Sequence, residues 1–294
     1  MRVARVEVDG RAFWALLEAE TSRLRPINAP FAQWAGLRGP AALQALDLGE
    51  QRLPLAAARL LPPLEPGGRV FGVGLNYLSH LKRLGSEAPA HPLAYIKPES
   101  ALVGAEDDIH YPPLTRQLDY EVELVAVVGR PLLDELRASH CLLGYTVGND
   151  ISARDAGKQI GRLDLLTQKA MDRTTPVGPW IVTPDELGVR GQPALNMQLH
   201  VNDELRQQDN TRHMIFPLDE LLNYLDARIS LRPGDLVFTG SSHGVGLESG
   251  RFLQPGDQVH AQISGIGRLR NTIGAPRRLN AARAKGRLGQ PLVP

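Results

Sequence analysis

The chain has 294 residues, of which 43% are hydrophobic and 22% charged. That is the make-up of a globular protein with room for one sizeable domain and a small appendage. Its net charge of +1 supplies no global field for nucleic acid or a membrane surface, and a single cysteine, Cys141, excludes an internal disulfide and a thiolate metal cluster.

From the beginning of the chain, Val3 to Val8, the pair Asp9-Gly10 and Ala12 to Leu17 read as a hairpin, because Asp-Gly suits a tight turn between alternating strands. A short helix over Ala41 to Leu46 follows. The segment LPPLEPGG, Leu61 to Gly68, reads as a linker, so residues 1–63 are expected to form a small N-terminal α/β domain. Residues 64–273 form the main domain. There Arg69 to Gly74 is a short buried strand, the polar segment from His80 to Pro92 is a loop or mobile lid, and Leu93 to Lys97 is another strand. Trp180 to Thr183 and Asn196 to Val201 are further strands, and Leu218 to Ile229 has helical spacing after Pro217. Two phrases, Leu231-Arg-Pro-Gly-Asp235 and Leu253-Gln-Pro-Gly-Asp257, have the Pro-Gly demand of a type II turn and lead into strands at Leu236 to Thr239 and Gln258 to Ile263. Many short strands and few helices predict an α+β, β-rich fold. Residues 274–294 are a basic tail with Arg277, Arg278, Arg283, Lys285 and Arg287, expected to be disordered or to embrace another subunit. With no apolar stretch of transmembrane length and no signal-peptide core, a soluble cytoplasmic protein is expected.

The most informative stretch runs from Asp119 to Asp155. In DYEVELVAVVG, strand alternation sends Tyr120, Val122, Leu124, Ala126 and Val128 one way and Glu121, Glu123, Val125 and Val127 the other. Two glutamates then share a face roughly 7 Å apart. Such a pair resists burial unless a positive partner stands between, and a divalent cation is the simplest one. Oxygen-only ligands favour Mg²⁺, Mn²⁺ or Ca²⁺ over zinc. Asp150, at the end of the next strand (Leu142 to Gly148), offers a third carboxylate. Spacing alone leaves other readings open, since a Glu-x-Glu pair also suits a solvated strand face and Asp150 suits a helix cap.

The order of motifs resembles the fumarylacetoacetate hydrolase family. GLNY-x-x-H (74–80), Tyr-Ile-Lys-Pro (95–98), DYEVEL (119–124) and GYTVGNDISARD (144–155) are followed by Lys169 with Pro-x-Gly-Pro (176–179). QQDNT-x-x-M (207–214), LRPGD-x-x-x-TG (231–240), Gly244-Val-Gly246 and Gly265-Ile-Gly267 complete the match. The resemblance covers about residues 68–273. It implies a mixed β-roll catalytic domain, a homodimer, and an Mg²⁺ or Mn²⁺ ion held by Glu121, Glu123 and Asp150. It also implies catalytic roles for His80 and Lys169, a substrate-binding role for Ser241 and Gln207, and a 2-oxo acid or acylpyruvate substrate. A divalent ion chelated by the carboxylate and 2-oxo oxygens stabilises an enolate. Carbon–carbon hydrolysis is its simplest outcome; decarboxylation, dehydration and keto–enol isomerisation are alternatives, and a non-catalytic binding member is a further one.

Two positions depart from the family pattern. Family hydrolases and decarboxylases commonly carry a glutamate three residues after the histidine, where this chain has Arg83. That places water activation by a local dyad in question and suggests a substrate-binding role for Arg83, on a segment that closes over the metal. Where the family often reads TGTP, this chain reads Thr239-Gly-Ser-Ser242 followed by His243, an extra titratable group.

Overall fold

The computed structural model describes residues 1–37, 40–132, 137–156 and 164–276. The basic residues expected to form an arm, from Arg277 onward, lie outside them. Among the described residues, one large sheet of twelve strands organises the chain. Its main path runs Leu53–Pro54, Arg23–Pro26, Arg11–Glu18, Arg2–Val8, Thr175–Val182, Leu142–Asn149, Val122–Val128, Leu236–Ser241, Val70–Gly74, Leu93–Lys97. A five-stranded sheet packs against it, in the order Glu204–Asn210, Asn196–Val201, Gln258–Ile263, Gly267–Pro276, Ile109–Tyr111. The predicted β-rich fold is therefore the observed one.

The alternation in Val122–Val128 explains why this strand is central. Every residue of it is buried, because both of its faces meet a core. Val122, Leu124, Ala126 and Val128 face the five-stranded sheet and pack with Met197, Leu199, Val259, Ala261 and Ile263. Val125 and Val127 face the opposite way, into a core with Phe238, Ile181, Phe31 and Trp34. It is hydrogen-bonded on both edges, with antiparallel partners Leu142–Asn149 and Leu236–Ser241.

The N-terminal hairpin forms as predicted. Val8 pairs with Arg11 across Asp9 and Gly10, which both have positive φ, 49° and 76°. Those dihedrals are the demand of a type I′ turn, which asparagine, aspartate and glycine meet most easily. The hairpin continues the large sheet, with Arg2 and Val3 opposite Val182 and Ile181. Its inner face carries Trp14, whose ring packs 5.0 Å from Phe31 and 5.6 Å from Trp34. Both Pro-Gly turns are also as expected: Asp235 N donates to Arg232 O (3.0 Å), Asp257 N donates to Gln254 O (3.1 Å), and Gly234 and Gly256 have φ of 92° and 94°.

Three local expectations are corrected. The segment after GLNY begins as a helix, Leu78–Leu84, not as a loop, and buries His80 and Leu81 while Gly85 closes it in the left-handed conformation. Asp150 caps no helix; Ser152–Ala153, directly after it, is a short strand paired with Leu118–Asp119. The helix over 218–229 ends at Asp226.

At Gly144 the middle strands of the large sheet leave no room for a side chain. A Cβ there would be driven into the backbone carbonyl of Val182, which cannot swing away as a side chain would. Overpacking of this kind destabilises by about 1–3 kcal/mol or more. Gly144→Ala should therefore lower Tm by several degrees in scanning calorimetry, at roughly 2–4 °C per kcal/mol for a chain of this size class. An unchanged Tm would mean the strand can shift to admit the methyl group.

Candidate active site and metal centre

The central strand ends where the hydrophobic cover of its second face stops, and there Glu121 and Glu123 replace Val125 and Val127. Glu121 is 7% exposed, Glu123 1% and Asp150 0%. Ligand oxygens of the three lie within 4.8 Å of one another. Backbone pairing sets this convergence: Asp150 N donates to Glu121 O (2.8 Å), and Glu121 N donates to the Asn149 side chain (2.9 Å). Two strand ends thus deliver three carboxylates to one point.

Cations surround them. Lys169, at the end of the short helix Leu165–Lys169, places Nζ 2.5 Å from Glu121 Oε2 and 2.6 Å from Asp150 Oδ2. Lys97 Nζ lies 2.5 Å from Asp150 Oδ1 and also donates to the backbone carbonyl of Lys169. Tyr95, two residues earlier on the same strand, donates its hydroxyl to Asp150. The ring reaches Asp150 because Gly72 on the adjoining strand presents no Cβ to it. Arg154 binds Asp119 (2.8 Å) and Glu121 together.

Among the described residues this cluster is one cation short. Asp119, Glu121, Glu123 and Asp150 are four carboxylates against the three cations Lys97, Arg154 and Lys169. Glu123 is the group left over: among the described residues its side chain accepts only the Gly240 N–H, at 2.7 Å. Burial, then the charges of Asp150 and Glu121, push its carboxyl well above the usual range. Burial also pushes Glu121 and Asp150 upward, but Lys169 with Arg154 brings Glu121 below its usual value and Lys169 with Lys97 brings Asp150 well below. Lys169 is held above its ordinary value because Asp150 and Glu121 outweigh its burial. Three buried, converging carboxyl groups, one of them with no cation of its own among the described residues, fit a hard divalent cation.

A cavity of about 210 Å³ opens beside Glu121, lined by His80, Tyr95, Arg154, Gln168, Lys169 and Ser241 on its polar side. His80 is 5% exposed. Its Nδ1 lies 2.7 Å from Glu248 Oε1, while Glu248 Oε2 accepts the Gly244 N–H at 2.8 Å. Burial raises the Glu248 carboxyl, yet the bonds from His80 and Gly244 bring it below its ordinary value. An ionised Glu248 makes Nδ1 the protonated nitrogen and leaves Nε2 as the basic one. The Gly246–Ser249 turn that carries Glu248 is anchored by Asp119, which accepts from Leu247 N (3.0 Å) and from Gly246 N. Asp119 thereby links Arg154 and Glu121 to the His80–Glu248 pair.

Of the residues singled out in the sequence, Glu121, Glu123 and Asp150 come together, and Lys169, His80 and Ser241 line the adjoining cavity. Gln207 does not face it. Its amide is fully buried and committed to the scaffold, accepting from Val122 N (2.9 Å) and donating to Ser241 Oγ (2.9 Å) and Ser242 O (3.1 Å). Gln207 braces the glutamate strand and the position of Ser241. Arg83 is exposed on its helix and does not line the cavity; Leu84 does so instead. His243 is half-buried, with its backbone N–H 3.5 Å from Ser79 Oγ. Sequence reasoning missed Glu248, for which Gly244-Val-Gly246 was the nearest signal. It also left Tyr95, Lys97, Asp119 and Arg154 without roles, although each lies in a quoted motif.

Residues 69–274 match the fumarylacetoacetate (FAA) hydrolase C-terminal family, and the chain belongs to that family. Among its relatives, the mitochondrial oxaloacetate tautomerase FAHD2B of Bos taurus is 35% identical over 227 residues, covering 75% of this chain and 71% of that protein. The crystal structure of 2-hydroxyhepta-2,4-diene-1,7-dioate isomerase from Mycobacterium marinum superimposes with a TM-score of 0.74 at 31% identity, covering 93% of this chain and 98% of the other. Fumarylpyruvate hydrolase from Pseudomonas aeruginosa, in complex with Mn²⁺ and pyruvate, gives 0.64 at 31% identity, covering 74% and 91%.

The charge balance generates a test. Glu123→Ala removes a carboxylate that is uncompensated in the metal-free protein, so Mg²⁺ or Mn²⁺ binding should disappear in titration calorimetry while Tm in a chelator stays level or rises. Binding with the parent's affinity would remove Glu123 from the ligand set.

Proposed function

We propose that the protein is a divalent-metal-dependent enzyme acting on a 2-oxo acid, most simply hydrolysing the carbon–carbon bond of an acylpyruvate. The observation that carries this reading is the Glu248-held imidazole of His80 beside a cavity whose polar side is Glu121, Lys169 and Ser241. Glu121, Glu123 and Asp150 would hold Mg²⁺ or Mn²⁺, and the ion would supply a Lewis acid for the chelating carboxylate and 2-oxo oxygens of the substrate. His80 Nε2 acts as the general base that takes a proton from water, and the ionised Glu248 stabilises the imidazolium that results. Water adds to the acyl carbonyl, the carbon–carbon bond breaks, and a carboxylic acid and the enolate of pyruvate are formed. His80 returns the proton to the enolate carbon. Lys169 donates to the developing oxyanion, and Ser241, fixed by Gln207, orients the substrate. Tyr95 and Lys97 hold Asp150, and Lys97 also holds the Lys169 backbone, so the charged wall is set before substrate arrives.

A second reading, keto–enol isomerisation, is favoured by the tautomerase and isomerase among the relatives. It uses the same groups: His80 moves a proton between the carbon and the oxygen of the enol, and no water is consumed. Chromatography of products separates the two, because hydrolysis releases pyruvate and an acid in equal amounts while isomerisation consumes the enol without cleavage.

Glu248→Gln keeps the size of the side chain but removes the charge that stabilises the imidazolium. It should lower kcat by about 10²–10⁴-fold, the usual contribution of a positioned acid–base group, without weakening metal binding. Lys169→Met should lower kcat by roughly 10²–10³-fold. Parental turnover by either variant on a confirmed substrate would remove that residue from the mechanism.

A further inference from the structure

The cavity has a second wall that the chemistry above does not use. Val73, Leu75, Leu84, Leu93, Leu165 and Leu247 line it, all aliphatic. They come from separate places: the strand that leads into the His80 helix, the loop after it, the last turn of that helix, the edge strand that carries Tyr95, the start of the Lys169 helix, and the turn that carries Glu248. Leu75 stands there with φ of 56°, a conformation unfavourable for a bulky side chain. The cations that line the cavity, Lys169 and Arg154, are both held at its charged end by Glu121 together with Asp150 or Asp119. Arg83, the cation that the sequence placed near substrate, is exposed and outside the lining.

We infer that the substrate is a monocarboxylate 2-oxo acid with a short aliphatic tail, its carboxylate at the charged end and its tail against the leucine wall. The inference rests on the proposed function and names the substrate class for that same site. A second carboxylate would be buried against aliphatic side chains with no cation among the described lining residues at that end, and an unpaired buried charge is strongly disfavoured. This separates the chain from its relatives named for oxaloacetate, a heptadiene-dioate and fumarylpyruvate, all dicarboxylates. At about 210 Å³ the cavity is smaller than the roughly 300–1,000 Å³ of pockets for drug-sized ligands, which also selects a small acid.

The test is kcat/KM of the Mn²⁺-loaded enzyme on a panel: acetylpyruvate, its homologues with two and four more methylenes, oxaloacetate and fumarylpyruvate, with cleavage and enol conversion both followed. We expect kcat/KM to rise about fourfold with each methylene until the wall is filled, from the free energy of burying one CH₂, and the dicarboxylates to be at least tenfold poorer. The variant Leu84→Arg places a cation on the tail side, four residues beyond His80 on the same helix, and should raise the dicarboxylate-to-monocarboxylate ratio at least tenfold. A dicarboxylate preferred by the parent, or a ratio unmoved in a folded Leu84→Arg protein, overturns the inference and leaves the proposed function standing. Absence of metal-dependent turnover on the whole panel overturns both.

Discussion

The structure depends on one electrostatic constraint: three carboxylates buried at a single point, with the available cations unable to neutralise all of them. Among the described residues, Lys169 and Lys97 compensate Asp150, and Lys169 with Arg154 compensates Glu121, but Glu123 has only a backbone N–H. Burying like charges in this way is unfavourable and persists only because the surrounding sheet imposes it. Each strand end is pinned by ladder bonds on both sides, so the carboxylates cannot relax toward water. A stable fold thereby keeps an affinity for positive charge in reserve.

That reserve is connected to the rest of the site by bonds rather than by proximity. Arg154 joins Glu121 to Asp119, Asp119 holds the turn that carries Glu248, and Glu248 fixes the ring of His80. On the other flank, Lys97 ties Asp150 to the backbone of Lys169. The chemical groups at the cavity are thus held by buried partners on rigid elements, which is how geometry of catalytic quality is maintained. Family membership adds that relatives with this architecture are named as hydrolases, isomerases and tautomerases.

His80 takes its carboxylate partner from far along the chain and not from its own helix, where position 83 is an arginine. A glutamate three residues after His80 would share its helix, whereas Glu248 arrives from a turn 168 residues away and meets Nδ1 directly. The imidazole needs a carboxylate within hydrogen-bond reach, and the chain separation of that carboxylate is immaterial. Arg83 is exposed on the helix, and Leu84 takes the inward position.

What the sequence by itself determined was whatever depends on local periodicity and turn chemistry. The two faces of Val122–Val128, the Asp9-Gly10 hairpin and the paired Pro-Gly turns were legible because strand alternation and positive φ constrain residues that are neighbours in the chain. The pairing of Glu121 with Glu123 was legible for the same reason, and the motif order added Asp150, Lys169 and His80. Tertiary structure alone decided the partners. Glu248 on His80, Asp119 on Arg154, and Gln207 turned into a brace for Val122 and Ser241 all join segments far apart in sequence. The Leu78–Leu84 helix was hidden because its single buried turn is too short to show a period, and it is held in place by packing rather than by propensity. A charge is costly to bury wherever it stands, but what compensates it is set by which strands and helices the fold brings to the same point.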